Sequence, residues 1–206
     1  MKILNLYAGI GGNRKLWGDD HDITAVELNP DIARIYQDFF PNDTVVVGDA
    51  HQYLIDHYKG YDFIWSSPPC PSHSRVRTMG VYAENVEAIY PEMSLYQEII
   101  LLKYFAKGDW VIENVRPYYQ PLIDATIELH RHLFWCNFPV RHYKVEDERV
   151  HTEISNKSVV YDVDLAEYEF RDKDKMLKNM VNPSVGKYLL DSSLNNFPPI
   201  QEGLFA

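Results

Sequence analysis

The sequence predicts an α/β fold: a mostly parallel sheet with helices on both faces. Two observations carry that prediction. Short apolar runs over residues 3–7, 23–27, 44–47, 61–66 and 110–115 read as buried strands. Segments of helical character separate them, so strand and helix alternate through residue 116, the pattern of a parallel sheet. Several of these strands also close on glycine, proline or an acid. The carboxyl ends of the strands are where open α/β sheets bind ligands.

The first strand leads into Asn5-Leu6-Tyr7-Ala8-Gly9-Ile10-Gly11-Gly12. Glycines at 9, 11 and 12 let the backbone turn tightly and approach a ligand. The spacing is not G-x-G-x-x-G, and an ordinary strand-to-helix turn explains it equally well. The second strand, Ile23-Thr24-Ala25-Val26-Glu27, ends on an acid. Glu27 lies about 20 residues past the glycines, where nucleotide-type folds place a ribose ligand. Acidic strand ends also occur without function. Asn29-Pro30 opens a helix, with proline in its first turn, and Ile32, Ala33, Ile35, Tyr36, Phe39 and Phe40 give it an apolar period. The third strand ends at Gly48-Asp49-Ala50. Asp49 either accepts from an adenine amino group or caps the helix beginning at Ala50.

The fourth strand runs into Ser67-Pro68-Pro69-Cys70-Pro71-Ser72-His73-Ser74-Arg75. Proline cannot donate to a sheet ladder, so the strand stops sharply. Cys70 then stands at the sheet's carboxyl edge, with Arg75 and Arg77 following. That placement suits a nucleophile, although an isolated cysteine is ordinarily a small buried hydrophobe. Residues 72–92 lack a long apolar period and read as a mobile loop over the site. A helix from Ser94 to Phe105 places Leu95, Ile99, Leu102 and Phe105 in the core. The fifth strand closes on Glu113-Asn114-Val115, and burial there raises a carboxylate's pKa, which suits a proton donor.

In combination these segments resemble the cytosine-5 DNA methyltransferases. Tyr7-Ala8-Gly9-Ile10-Gly11-Gly12 matches the family's Phe-Ala-Gly-x-Gly-Gly. Pro69-Cys70 with Ser74 matches its Pro-Cys motif, and Glu113-Asn114-Val115 its Glu-Asn-Val. The resemblance covers residues 3 to 139. It implies a Rossmann-like fold and S-adenosylmethionine as methyl donor. It also implies a cofactor site of Tyr7, Ala8, Gly9, Ile10, Gly11, Gly12, Glu27, Leu28, Asp49, Ala50 and Pro68. Cys70 would be the nucleophile and Glu113 the group on the base. The family's Arg-x-Arg pair is altered. His130-Arg131-His132 precedes Leu133-Phe134-Trp135-Cys136-Asn137-Phe138-Pro139, and either Arg131 or His132 takes the base-contacting place. Adjacent strand residues face opposite ways, so they cannot both do so. His130 and His132 share one strand face and read as structural.

Residues 1–139 thus form the expected catalytic core. Residues 140–180, charged and with a strand at Val159-Val160-Tyr161, form the expected target-recognition region. Residues 181–206 return to the core through Asn182-Pro183-Ser184-Val185-Gly186, a loose match to the family's Gly-Asn-Ser-Val, or through a plain capped helix over Lys187–Leu194. The chain has 206 residues and a formal charge of −10, so any nucleic-acid contact must be focused. Ser74, Arg75, Arg77, Arg141, Lys144 and Arg149 are the expected DNA contacts. Two cysteines give no disulfide framework, and a reduced, cytoplasmic setting fits. No leader, membrane span or metal constellation is expected. Methylation of a tRNA cytosine and a non-catalytic DNA- or cofactor-binding module are the alternatives. The tRNA branch carries Cys-Gln-Pro-Phe-Thr where this chain has Cys-Pro-Ser-His-Ser. Amino methylation, which uses Asp/Asn-Pro-Pro-Tyr/Phe, does not fit Ser67-Pro68-Pro69-Cys70.

Overall fold

The computed structural model describes residues 1–83, 87–141, 161–169 and 173–195. Among the described residues seven strands form one sheet: β1 (Lys2–Leu6), β2 (Asp22–Glu27), β3 (Thr44–Val47), β4 (Phe63–Ser66), β5 (Asp109–Val115), β6 (Ile127–Leu129) and β7 (His132–Cys136), in the order β3-β2-β1-β4-β5-β7-β6. The first five pair in parallel, and β7 lies antiparallel between β5 and β6. This is the expected Rossmann-like arrangement. The chain leaves β1 toward β2 and β3, then returns to lay β4 and β5 on its other side. The order therefore reverses between β1 and β4, and a crevice opens at their carboxyl ends.

The helices are α1 (Pro30–Phe39), α2 (Ala50–His57), α3 (Arg75–Tyr82), α4 (Ser94–Phe105), α5 (Lys173–Asn179) and α6 (Pro183–Ser193). Their starts follow local chemistry. Asn29 caps α1, Asp49 caps α2, Ser74 caps α3 and Asn182 caps α6, each side chain accepting from a first-turn amide. Strand residues alternate between two faces. On one face Ile3, Ile23, Phe63, Trp65 and Val111 pack with Val185, Tyr188 and Leu189 of α6. On the other, Leu4, Leu6, Ile64 and Ile112 pack with Leu54 of α2 and Leu95, Ile99 and Leu102 of α4.

The structure corrects several expectations. Residues 72–92 are not all loop: Ser74 nucleates α3. Phe105 is 62% exposed, because α4 ends there and turns it off the core face. His130 lies in the β6–β7 turn with φ 55°, so it shares no strand face with His132. Tyr161, Val163, Leu165, Met176 and Leu177 pack on Ile10 and Ile35. The described residues of the expected recognition region are therefore anchored on the core beside α1. Val159 and Val160 of the expected strand lie outside the described residues, and Tyr161 stands in a turn. Among the described residues no helix is long and apolar enough to cross a membrane.

Candidate active site

The glycine turn leaves β1 at Tyr7, whose φ is 55°, followed by Gly9 at 55° and Gly11 at 81°. A Cβ on Gly11 would stand 2.2 Å from the Phe40 ring, and one on Gly12 2.4 Å from the Val181 carbonyl oxygen. These two glycines are therefore fixed by packing. Gly9 differs: open space surrounds the place its Cβ would take. Glu27 holds the turn, accepting from the Gly9 amide at 3.0 Å and the Asn29 amide at 2.9 Å. Behind it, Asn13 donates to Asn5 at 2.8 Å in the interior. Ala8 and Ile10 are buried, the latter against Val163, Leu165 and Met176. Only their backbones can serve a ligand.

Leu28 follows Glu27 and is 70% exposed, an apolar side chain on the crevice rim. Asp49 is exposed and caps α2 by accepting from Gln52 at 2.9 Å, and Ala50 behind it is buried. The capping alternative for Asp49 is thus realised, and its exposed carboxylate still faces solvent at the helix start. The closing segment also returns here. A Cβ on Gly186 would meet the Asn13 carbonyl oxygen at 2.2 Å, so α6 lies directly against the turn. The helix in that segment runs Pro183–Ser193 with Asn182 as its cap, so it starts four residues before the expected Lys187.

Pro68 is buried, and its carbonyl accepts from Asn114 Nδ2 at 3.0 Å. That bond ties the Pro-Pro-Cys turn to β5 and brings Cys70 and Glu113 to one edge. The Cys70 carbonyl accepts from the His73 and Ser74 amides at 3.0 and 3.1 Å, closing a tight turn before α3. Burial raises the Cys70 thiol above its ordinary pKa, and the nearby Glu113 charge raises it further. The loop arginines do not oppose this. Arg75 Nε donates to the Pro117 carbonyl at 3.1 Å, and Arg77 to the Glu87 carbonyl at 2.9 Å. Ser74, expected at DNA, caps α3.

Glu113 is buried, and His132 Nε2 stands 3.6 Å from its carboxylate. The register explains the pairing. His132 lies opposite Val115 and Phe134 opposite Glu113, so Glu113 and His132 are diagonal neighbours on one face. Arg131 precedes β7 in the turn and is exposed, and its carbonyl accepts from the Arg116 amide. Of the two residues left open by the sequence, the structure sets His132, not Arg131, beside Glu113. The Tyr188 hydroxyl donates to the Arg141 carbonyl. Lys144 and Arg149 lie outside the described residues. Among the described residues no cluster of metal-ligating side chains occurs.

Sequence reasoning missed Glu98. It is wholly buried on α4 and accepts from Tyr7 at 2.7 Å, Ser66 at 2.6 Å and His51 at 2.9 Å. The signal was present: a carboxylate at a core position of the stripe Leu95, Ile99, Leu102.

Comparison with known proteins yields three kinds of finding. The model of a family described as C-5 cytosine-specific DNA methylase matches residues 1–116. None of the curated proteins compared matches. A hypothetical protein from Thermus thermophilus aligns with TM-score 0.44 and 16% identity over 66% of this chain and 73% of that one. DNMT2 from Spodoptera frugiperda aligns with TM-score 0.38 and 27% identity over 55% of this chain and 35% of that one. A TehB-like SAM-dependent methyltransferase from Corynebacterium glutamicum gives TM-score 0.34 and 24% identity over 55% and 54%. The family match covers every element that builds the crevice through β5.

Proposed function

The chain belongs to the C-5 cytosine-specific DNA methylase family, and from that premise we propose that it methylates C5 of cytosine in DNA through a covalent adduct on Cys70. Its methyl donor is S-adenosylmethionine, which when bound supplies an electrophilic methyl group on a sulfonium. The crevice fits such a group. Gly9 leaves open space at the turn, and Leu28 presents an exposed apolar face beside it. Tyr7 and the backbone from Ala8 to Gly12 would hold the donor, with Glu27 and Leu28 at its ribose end. Asp49 and Ala50 would take the adenine, and Pro68 the side toward the nucleophile.

One observation carries the reading: the Asn114–Pro68 bond joins the Cys70 turn to the strand bearing Glu113, beside the glycine turn. Cytosine C5 is a poor nucleophile. Addition of the Cys70 thiolate to C6 makes C5 enamine-like and able to take a methyl group. Glu113 takes the thiol proton as the thiolate forms, hydrogen-bonds the N3/N4 edge, and passes that proton toward N3 as charge builds there. His132, 3.6 Å from Glu113, would contact the base beside it. Water then takes the C5 proton, the thiolate is eliminated, and N3 returns its proton to Glu113, which releases 5-methylcytosine. Burial and the Glu113 charge keep the free enzyme's thiol protonated. A base seated on Glu113 answers that charge, so the nucleophile forms once substrate is in place. The base must leave the duplex, at a cost of a few kcal/mol. Contacts to the DNA are assigned to Ser74, Arg75, Arg77, Arg141, Lys144 and Arg149.

The test is trapping. DNA carrying 5-fluorocytosine should form a denaturant-resistant adduct with the wild type, because fluorine cannot leave as the proton does. Cys70→Ala should give no adduct and no methylation, yet still bind S-adenosylmethionine. Methylation by Cys70→Ala would refute the covalent route. Labelling of tRNA but not DNA would move the substrate to RNA.

A further inference from the structure

Glu98 has no part in the chemistry above, yet it is wholly buried and accepts hydrogen bonds from three elements. Tyr7 begins the glycine turn at the end of β1. Ser66 ends β4, two residues before Pro68. His51 lies in the first turn of α2, next to Asp49 and Ala50. These are three walls of the same crevice. A buried hydroxyl without an acceptor would be costly, and Glu98 supplies the acceptor. Burial first, then Glu98, raises the Tyr7 pKa, so its hydroxyl remains a donor.

We propose that Glu98 is a positioning residue for the methyl donor: by accepting from Tyr7, Ser66 and His51 at once, it fixes the ends of β1, β4 and α2 around the cofactor crevice. The inference rests on the crevice being the S-adenosylmethionine site, and goes beyond it in naming what sets its width. His51 reports on the network. Its pKa is raised, first by the hydrogen bond to Glu98 and against the effect of burial, with the charges of Glu98, Asp49 and Glu92 adding to the rise.

Calorimetric titration with S-adenosylmethionine, without DNA, tests the proposal. Glu98→Leu leaves Tyr7 and Ser66 without their acceptor and should weaken binding at least about tenfold, or about 1.4 kcal/mol. Glu98→Gln keeps a carbonyl for Tyr7 and His51 and an amide for Ser66 Oγ, so it should recover most of the affinity. The pH at which affinity changes should also move down in Glu98→Gln, because His51 loses the partner that raises its pKa. A merely structural residue would lower the melting temperature of Glu98→Leu and leave affinity below that temperature intact, which would overturn the proposal. Affinity no better in Glu98→Gln than in Glu98→Leu would also overturn it. Should Glu98→Leu not fold, Ser66→Ala removes one donor only, and unchanged affinity there is equally fatal. The readout separates the two ideas. A wild type that fails to methylate DNA refutes the proposed substrate, while weakened cofactor binding in the variants still supports the role of Glu98.

Discussion

Substituting Gly186 by alanine sets two calculable effects against each other. Gly186 lies inside α6, where alanine is favoured over glycine by about 1 kcal/mol. On propensity alone the variant would be more stable. But the added methyl would stand 2.2 Å from the Asn13 carbonyl oxygen and 2.7 and 2.8 Å from its Cα and carbonyl carbon, all backbone atoms. No side chain can rotate away, so α6 or the turn before it must move. Overpacking of this kind costs typically 1–3 kcal/mol, and contact with backbone puts it near about 3. The net loss is about 2 kcal/mol, or about 4–8 °C in melting temperature for a chain of this length. Because Asn13 follows the glycine turn, cofactor affinity should fall as well. Gly60→Ala is the control. Nothing lies within 4 Å of its Cβ position, and it should be neutral or stabilising by up to about 1 kcal/mol. Urea unfolding and calorimetric titration of both variants measure the effects. A Gly186→Ala protein as stable as wild type, with undiminished affinity, would refute the packing argument.

Two further outcomes follow from the titrating groups. Alkylation of Cys70 by iodoacetamide in the free enzyme should be slow at neutral pH and climb only in alkali, because burial and Glu113 raise the thiol. Glu113→Gln should shift that curve to lower pH. Cys136, raised to about 11 by burial, is a slower background, identified by mass spectrometry. An unshifted curve would remove Glu113 from the vicinity of the thiol. His51 has a folded pKa above its unfolded value of about 6.5. Its pairing with Glu98 therefore contributes stability that is full below about pH 6.5 and is lost as pH rises through the folded value. The gap in melting temperature between wild type and His51→Gln should shrink over that window. A constant gap would contradict the pairing.

What was legible in the sequence is local. Apolar runs ending on glycine, proline or acids marked β1 to β5. Pro30 marked the start of α1 and Asp49, as a cap, that of α2, and the motif spacing placed Cys70, Glu27, Asp49 and Glu113 at one sheet edge. Each of these follows from a residue and its near neighbours along the chain. Ser74 was different. Its neighbourhood lacked an apolar stripe, so α3 was invisible until the serine was seen accepting from the Val76 amide.

The sequence alone determined which residues stand at the carboxyl ends of the strands, because strand period and chain breakers are local properties. Only the tertiary structure decided which of those ends meet. The placing of His132 beside Glu113 required the antiparallel register of β7 on β5. The confinement of Arg75 and Arg77 by carbonyl oxygens required the folded segments around Pro117 and Glu87. Glu98 is the clearest case. Its partners lie 32, 47 and 91 residues away in the chain, and no local pattern links them. A buried carboxylate is tolerated only where donors converge on it, and convergence is a property of the packed sheet and helices rather than of any stretch of sequence.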